Sequence, residues 1–221
     1  MKLLSAISRL LFPPKCLLCR RVLDEDELDL CKNCRIDAPE APISRKKLPF
    51  VDSWASVWYY EEKVRASILR YKFYGARSYA HGYGRMLAIK LQQAHPEGFD
   101  VLTWVPISKL RKLRRGYDQV QLLADTVGKA LGMKPVQLLV KTRNNPPQSG
   151  IAGFAQRRAN VLGIYRAAQP ERIQGKRILL LDDVITTGAT LSECARVLLT
   201  AGAKEIHCGA VACARHNTNH K

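Results

Sequence analysis

Apolar and polar positions along the chain follow two periods in turn. Five short runs dominated by apolar and β-branched residues, at 52–60, 99–105, 136–140, 178–181 and 205–212, predict strands. Between them apolar residues recur every three or four positions and predict helices at 64–74, 85–93, 118–131 and 190–200. In the third of these, Val120, Leu123, Val127 and Leu131 share one face and Gly132 follows as a stop. In the fourth, Leu191, Cys194, Ala195, Leu198 and Leu199 do so ahead of Gly202. Such alternation predicts an α/β fold, a mainly parallel sheet flanked by helices, because a parallel pair needs a crossover long enough to hold a helix.

The start of the chain departs from this rhythm. Leu3, Leu4, Ile7, Leu10 and Leu11 share a helical face, Arg9 interrupts the run, and Pro13-Pro14-Lys15 lacks the small residues of a leader cleavage site. The segment therefore predicts a helix and not a secretion signal. No run approaches the roughly 18 consecutive apolar residues of a membrane span, so none is expected. Pro39, Pro42 and Pro49 frame a polar, basic stretch that predicts a linker at 38–50, dividing an N-terminal module at 1–37 from a main domain at 51–221.

Composition narrows the class of partner. With 221 residues, 47% of them hydrophobic, the chain can bury one α/β core and a small appendage. Lysine and arginine number 36 against 19 acidic residues, a formal charge of +17 that favours nucleic acid, phosphorylated metabolites or anionic lipid.

The cysteines point to metal. Their number, seven, is odd, and four fall in two close pairs, Cys16/Cys19 and Cys31/Cys34, separated by eleven residues. Two such knuckles converge four soft thiolates at the tetrahedral geometry of a structural zinc site and suit a reducing cytoplasm. The plainer alternative is four unligated thiols or an oxidised pair. A closed four-cysteine site has no open position for catalysis, so its role is folding or partner contact. The acidic residues at 24–29 argue against nucleic acid touching that loop. Cys194, Cys208 and Cys213 fall on apolar faces and are expected to pack, His207 lies in a strand, and His216 and His220 lie in a polar tail.

The richest segment begins at Arg177. Four apolar residues predict a buried strand that stops at Asp182 and Asp183; Thr186, Thr187, Gly188, Ala189 and Thr190 then open a helix. Ligands of open α/β sheets bind at this strand end. Backbone N–H groups and threonine hydroxyls suit a phosphate, and Gly188 permits close approach. The two carboxylates suit sugar hydroxyls or a magnesium ion. The alternative is an acidic turn with threonines capping the helix. No G-x-x-x-x-G-K-[ST] loop occurs.

Residues 182–190 resemble the phosphoribosyl pyrophosphate signature of type I phosphoribosyltransferases. The order of further segments resembles the ComF family: the four cysteines, Val105-Pro106-Ile107-Ser108, Arg115-Gly116-Tyr117-Asp118-Gln119, Lys141-Thr142-Arg143, Pro147-Gln148, Arg157-Arg158 and Asn160. The resemblance implies a type I phosphoribosyltransferase-like domain behind a zinc module. It implies that Thr187, Gly188, Ala189 and Thr190, with Thr186 alongside, take the 5-phosphate. Asp182 and Asp183 become the catalytic pair facing ribose hydroxyls and Mg2+. Ile107 and Ser108 fall in the pyrophosphate loop, and Arg143, Arg157 and Arg158 in a closing flap. Two departures stand out. Thr186 replaces the aspartate that serves as general base in some purine phosphoribosyltransferases, and Tyr117-Asp118 replaces the usual Phe-Asn.

Basic residues also interleave with aromatics between Tyr60 and Tyr79 and cluster again from Lys109 to Arg115. Lys63, Arg70, Lys72, Arg111, Lys112, Arg114 and Arg115 are the candidate contacts for single-stranded DNA, which needs a basic track with stacking rings. Solvated basic faces with the aromatics in the core are the alternative. With the resemblance, the expectation is a cytoplasmic ComF-type competence protein. It would bind phosphoribosyl pyrophosphate or a related sugar phosphate and single-stranded DNA, and would assist DNA uptake or processing in natural transformation beside other competence proteins. The other readings are a phosphoribosyltransferase acting on a small nucleobase or amine without a DNA role, and a module that senses the sugar phosphate without turnover.

Overall fold

The computed structural model describes residues 13–43, 48–143 and 161–215. The helix expected at 1–12, the flap residues Arg157 and Arg158, Pro147-Gln148, Asn160, and the tail residues His216 and His220 lie outside them. The described strands are β1 (Ser53–Tyr59), β2 (Val101–Trp104), β3 (Leu139–Lys141), β4 (Tyr165–Ala167), β5 (Arg177–Ile185) and β6 (Glu205–Cys213). The helices are α1 (Lys32–Asp37), α2 (Glu62–Phe73), α3 (Tyr79–Ala94), α4 (Lys109–Arg115), α5 (Gln119–Leu131) and α6 (Ala189–Thr200).

Four strands form one parallel sheet in the order β1-β6-β5-β2. On the central strand β5, Ile178, Leu179, Leu180 and Leu181 are all buried. Leu179 and Leu181 pack into the core that holds Trp58, Tyr83 and Leu87, whereas Ile178 and Leu180 pack against Leu191, Cys194 and Leu198 of α6. A strand covered on both faces shows no polar side, which is why its sequence reads as an unbroken apolar run. Cys194, Cys208 and Cys213 are buried packing residues, as expected.

The strand expected at 178–181 is longer than its apolar run. Its ladder with β6 continues through Asp182↔Ala210, Val184↔Ala212 and Ile185↔Cys213, so the two aspartates lie within a strand and not after it. Small residues on β6 allow the pairing to persist while side chains leave the apolar core. The strand expected at 136–140 divides. The Val136 N–H donates to the Leu102 carbonyl at 2.8 Å along the β2 edge, after which β3 turns away to pair antiparallel with β4.

Caps explain the helices that periodicity missed or placed late. Ser108 caps α4, Gly116 ends it at φ 73°, and none of its residues is buried, so no apolar stripe announces it. At the start of α5, Asp118 Oδ1 accepts from the N–H groups of Val120 at 3.0 Å and Gln121 at 3.1 Å. Helix α3 begins ahead of the expected residue 85 because its early glycines serve close packing. A Cβ on Gly82 would lie 2.6 Å from Leu17 Cδ1 and 2.7 Å from Asp29 Oδ1.

Those contacts seat the cysteine module on the sheet layer. Leu17, Leu18, Leu23 and Leu30 join the same core as Trp58 and Tyr83. Arg70 Nη2 donates to the carbonyls of Leu17 at 2.9 Å and Leu18 at 2.7 Å, and Arg85 Nε to Asp29 at 3.0 Å. Residues of the expected linker lie along the β1 edge, where Tyr59 N–H donates to the Pro39 carbonyl at 2.7 Å and Ala41 N–H to that of Val57 at 3.0 Å. Prolines suit an edge because they have no N–H to leave unpaired. No helix among the described residues is long and apolar enough to cross a membrane.

Candidate functional site

Because the four sheet strands are parallel, their C-terminal ends meet at one edge, and there a cavity of about 850 Å3 opens. Asp182, Asp183, Thr186 and Thr190 come to it from β5 and the turn into α6, Pro106 and Ile107 from the loop after β2, and Lys141 from β3. Arg111, Arg114 and Arg115 enter from α4, Lys72 and Phe73 from α2, and Tyr117 and Gln119 from the start of α5. Segments more than 100 residues apart thus converge at the place where open α/β sheets bind ligands.

The turn into α6 is shaped by Gly188, at φ 76°, where a Cβ would meet Leu48 Cδ2 at 2.5 Å. Two conditions therefore demand glycine, the left-handed backbone and the close approach. Thr187 Oγ1 accepts from the Ala189 N–H at 3.4 Å, and Ala189 is buried as the first residue of α6. Thr186 and Thr190 are half-buried and line the cavity. The loop after β2 is held from below, since Asp118 Oδ2 accepts from the Ile107 N–H at 3.4 Å and Ser108 is buried as the α4 cap. Burial raises the Asp118 carboxyl above the usual range, and these backbone donors work against that shift.

The two aspartates look to different layers, as adjacent strand residues must. Asp183 is buried; its Oδ1 lies 2.7 Å from Lys72 Nζ, and its Oδ2 accepts from Gln119 Nε2 at 3.2 Å. Asp182 Oδ1 accepts from the Asp183 N–H at 2.8 Å. Burial, and after it the charge of Asp183, raises the Asp182 carboxyl well above the usual carboxylate range. Burial, reinforced by Arg111, lowers Lys141 to about 8. Burial, and then Arg115, lowers Arg111.

Arg65, Lys72, Arg111, Arg114, Arg115 and Lys141 therefore surround the cavity, against the two aspartates. That excess of cations focuses a positive field on a concave site, as a multiply charged phosphate ester requires. The all-oxygen carboxylate pair has the donor chemistry magnesium prefers. Three of its four oxygens, however, already carry Lys72, Gln119 or the Asp183 N–H. The fit to magnesium is thus confined to the side of Asp182.

The candidate DNA contacts separate. Arg111, Arg114 and Arg115 line the cavity, with the Arg115 guanidinium 4.8 Å from the centre of the exposed Phe73 ring. Lys72 is paired with Asp183, and Arg70 is turned onto the cysteine module. Lys63 lines a smaller hollow of about 220 Å3 beside Asp37, Glu61 and Glu62. Lys112 Nζ reaches Gln121 Oε1 at 3.4 Å, and Arg143 is exposed outside the cavity lining. Gln119 was recognised as part of the segment 115–119, but its role beside Asp183 was not legible, because its partner lies 64 positions away. Tyr165 was missed, arriving from a three-residue strand too short to predict.

At the other pole of the module, Cys16, Cys19, Cys31 and Cys34 bring their sulfurs within 4.8 Å of one another. Cys31 caps α1, and Glu27 braces the loop between the knuckles, accepting from the Asp24 N–H at 2.9 Å and the Lys32 N–H at 2.7 Å. Four thiolates so gathered fit a structural zinc ion, which would cross-link the two knuckles.

Residues 114–221 match the family described as Phosphoribosyl transferase domain, and residues 7–46 that described as Double zinc ribbon domain. Competence protein F of Haemophilus influenzae is 26% identical over 87% of this chain and 93% of its own. The DNA utilization protein YhgH of Escherichia coli K12 is 28% identical over 86% of each chain. Competence protein ComFC of Bacillus subtilis is 29% identical over 66% of this chain and 58% of its own. The chain is thus similar over most of its length to proteins named for competence and DNA utilization, and it carries a phosphoribosyl transferase domain behind a zinc ribbon. Among solved structures, a glutamine phosphoribosylpyrophosphate amidotransferase from B. subtilis aligns with 65% of this chain at 24% identity and TM-score 0.44, this chain spanning 30% of that one. The match to the phosphoribosyl transferase domain and the parallel sheet flanked by helices agree with the type I phosphoribosyltransferase-like fold expected from residues 182–190. The double zinc ribbon and the four-cysteine cluster support a structural zinc ion; with four cysteines in that span, the chain supplies ligands for one.

Proposed function

We propose that this chain is a ComF-type protein that binds phosphoribosyl pyrophosphate or a related sugar phosphate in the β5–α6 cavity, and single-stranded DNA at the basic rim of that cavity. In this reading it serves DNA uptake or processing during natural transformation, in the cytoplasm and beside other competence proteins. The observation that carries the reading is convergence: the acidic pair, the threonine turn and three arginines of α4 share one cavity. The names of the relatives, competence protein F and DNA utilization protein, agree with it. Thr186 and Thr190 offer hydroxyls to a phosphate, Asp182 an acceptor to a sugar hydroxyl, and Arg111 and Lys141 positive charge to a pyrophosphate. Thr186 lines the cavity where a general base would stand, and a hydroxyl cannot take that role near neutral pH. This favours binding over transfer to a nucleobase.

Titration of fluorescent single-stranded DNA across a salt series tests the reading, with wild type and the Asp182→Asn/Asp183→Asn double variant, in the presence and absence of phosphoribosyl pyrophosphate. The expected result is wild-type binding that weakens steeply with salt, with a slope of about 0.7 per phosphate contacted. A melting temperature raised by phosphoribosyl pyrophosphate in wild type, and not in the double variant, is expected alongside. Absence of DNA binding at low salt, together with pyrophosphate release when a nucleobase or amine is supplied, would move the protein to the small-acceptor transferases.

A further inference from the structure

The sequence places Lys72 among basic residues that could meet a nucleic acid, yet the fold sends its side chain inward. Nζ lies 2.7 Å from Asp183 Oδ1, with the lysine side chain 19% exposed and the aspartate 10%. On the other oxygen of the same carboxylate sits Gln119 Nε2, at 3.2 Å. The orientation of that amide follows, because the reverse would set its oxygen against a carboxylate. Asp183 is therefore charge-compensated and hydrogen-bonded by residues of α2 and α5, on the layer opposite Asp182. A buried carboxylate within a strand is costly unless it is paired with a cation; here the chain supplies it.

We propose that Lys72 is the resident counter-cation of the sugar-phosphate site. Its ammonium takes the face of Asp183 that a divalent cation would otherwise occupy, and Asp182 is left as the carboxylate that meets ligand hydroxyls. The two aspartates then differ in role: Asp182 touches ligand, and Asp183 positions Lys72 and Gln119. This inference rests on the sugar-phosphate reading above.

Calorimetric titration with ribose 5-phosphate separates the two. The phosphate is kept simple because a pyrophosphate would itself chelate metal. Wild type is expected to bind with affinities in EDTA and in magnesium that agree within about threefold. Lys72→Gln in EDTA is expected to lose about tenfold or more, as a buried carboxylate left without its cation should. Magnesium is expected to restore that variant to within about threefold of wild type by taking the vacated face of Asp183. Lys72→Arg keeps a cation and is expected to bind in EDTA. Magnesium alone should raise the melting temperature of Lys72→Gln and leave wild type unmoved. A wild type that needs magnesium overturns the inference, as does Lys72→Gln binding normally in EDTA or failing to be rescued. If Lys72→Gln does not fold, the wild-type metal comparison and Lys72→Arg still decide. A wild type that binds neither ribose 5-phosphate nor phosphoribosyl pyrophosphate in either condition sinks the sugar-phosphate reading itself, and this inference with it.

Discussion

Among single side chains, Asp182 shows how burial and function pull against each other. Its carboxyl is raised because desolvation disfavours the charged form and Asp183 adds like charge, with Lys72 and Lys141 opposing. A carboxyl whose folded value is raised binds its proton more tightly in the native state than in the unfolded one. Its penalty is therefore absent below about pH 4 and grows as pH rises through the folded value. Asp182→Asn is accordingly expected to melt higher than wild type above neutrality, by about 2 °C or more, with the difference closing toward pH 4. Differential scanning calorimetry across that range checks it. A difference that is constant in pH would mean that the shift is not electrostatic. The same variant is expected to weaken ribose 5-phosphate binding, since stability and binding are opposed at this residue.

Among elements, one close contact joins α3 to the cysteine module. Gly82 is there for closeness and not for backbone freedom, since it sits inside a helix and its missing Cβ makes room for Leu17 and Asp29. Gly82→Ala is expected to destabilise the protein by about 1–3 kcal/mol through overpacking, even though alanine favours helix. Urea unfolding of the zinc-loaded protein measures this; an unchanged or raised midpoint would show that the module yields freely. Cys16→Ser is expected to lower both zinc content and melting temperature, because Cys16 and Leu17 belong to the core shared with Trp58 and Tyr83. The main elements were legible in the chain because buried parallel strands read as unbroken apolar runs and half-buried helices impose a period of 3.6 on apolar positions. Helix α4 was not, for its seven residues bury nothing and depend on a serine cap and a glycine stop.

Across the whole molecule, a formal charge of +17 sets the background against which the cavity is read. Six cations face the cavity at the C-terminal edge. The opposite edge holds a hydrogen-bonded group, where Ser53 Oγ lies 2.7 Å from His95 Nε2 and 2.9 Å from His207 Nδ1, beside the ion pairs of Arg177 with Glu97 and Glu205. Burial lowers His207, so it favours the uncharged ring. If single-stranded DNA follows the rim, Arg114→Gln and Arg115→Gln should each reduce the slope of log affinity against log salt by about 0.7, while Lys63→Gln leaves it unchanged. Equal slopes for all three variants would place the DNA elsewhere.

The sequence by itself determined the sheet, its covering helices, the four-cysteine cluster and the segment that ends at Thr190. Each of these is written in local spacing, and local spacing is what a chain shows before it folds. Only the tertiary structure decided which charges belong to the site. Lys72 and Arg70 are two residues apart on one helix, yet one turns to Asp183 and the other to the carbonyls of Leu17 and Leu18. Their partners lie more than 50 positions away in sequence, in opposite directions, and the meeting depends on how α2 lies between the module and the sheet. No period in the chain encodes that placement, because it follows from packing among elements and not from the pattern within any one of them.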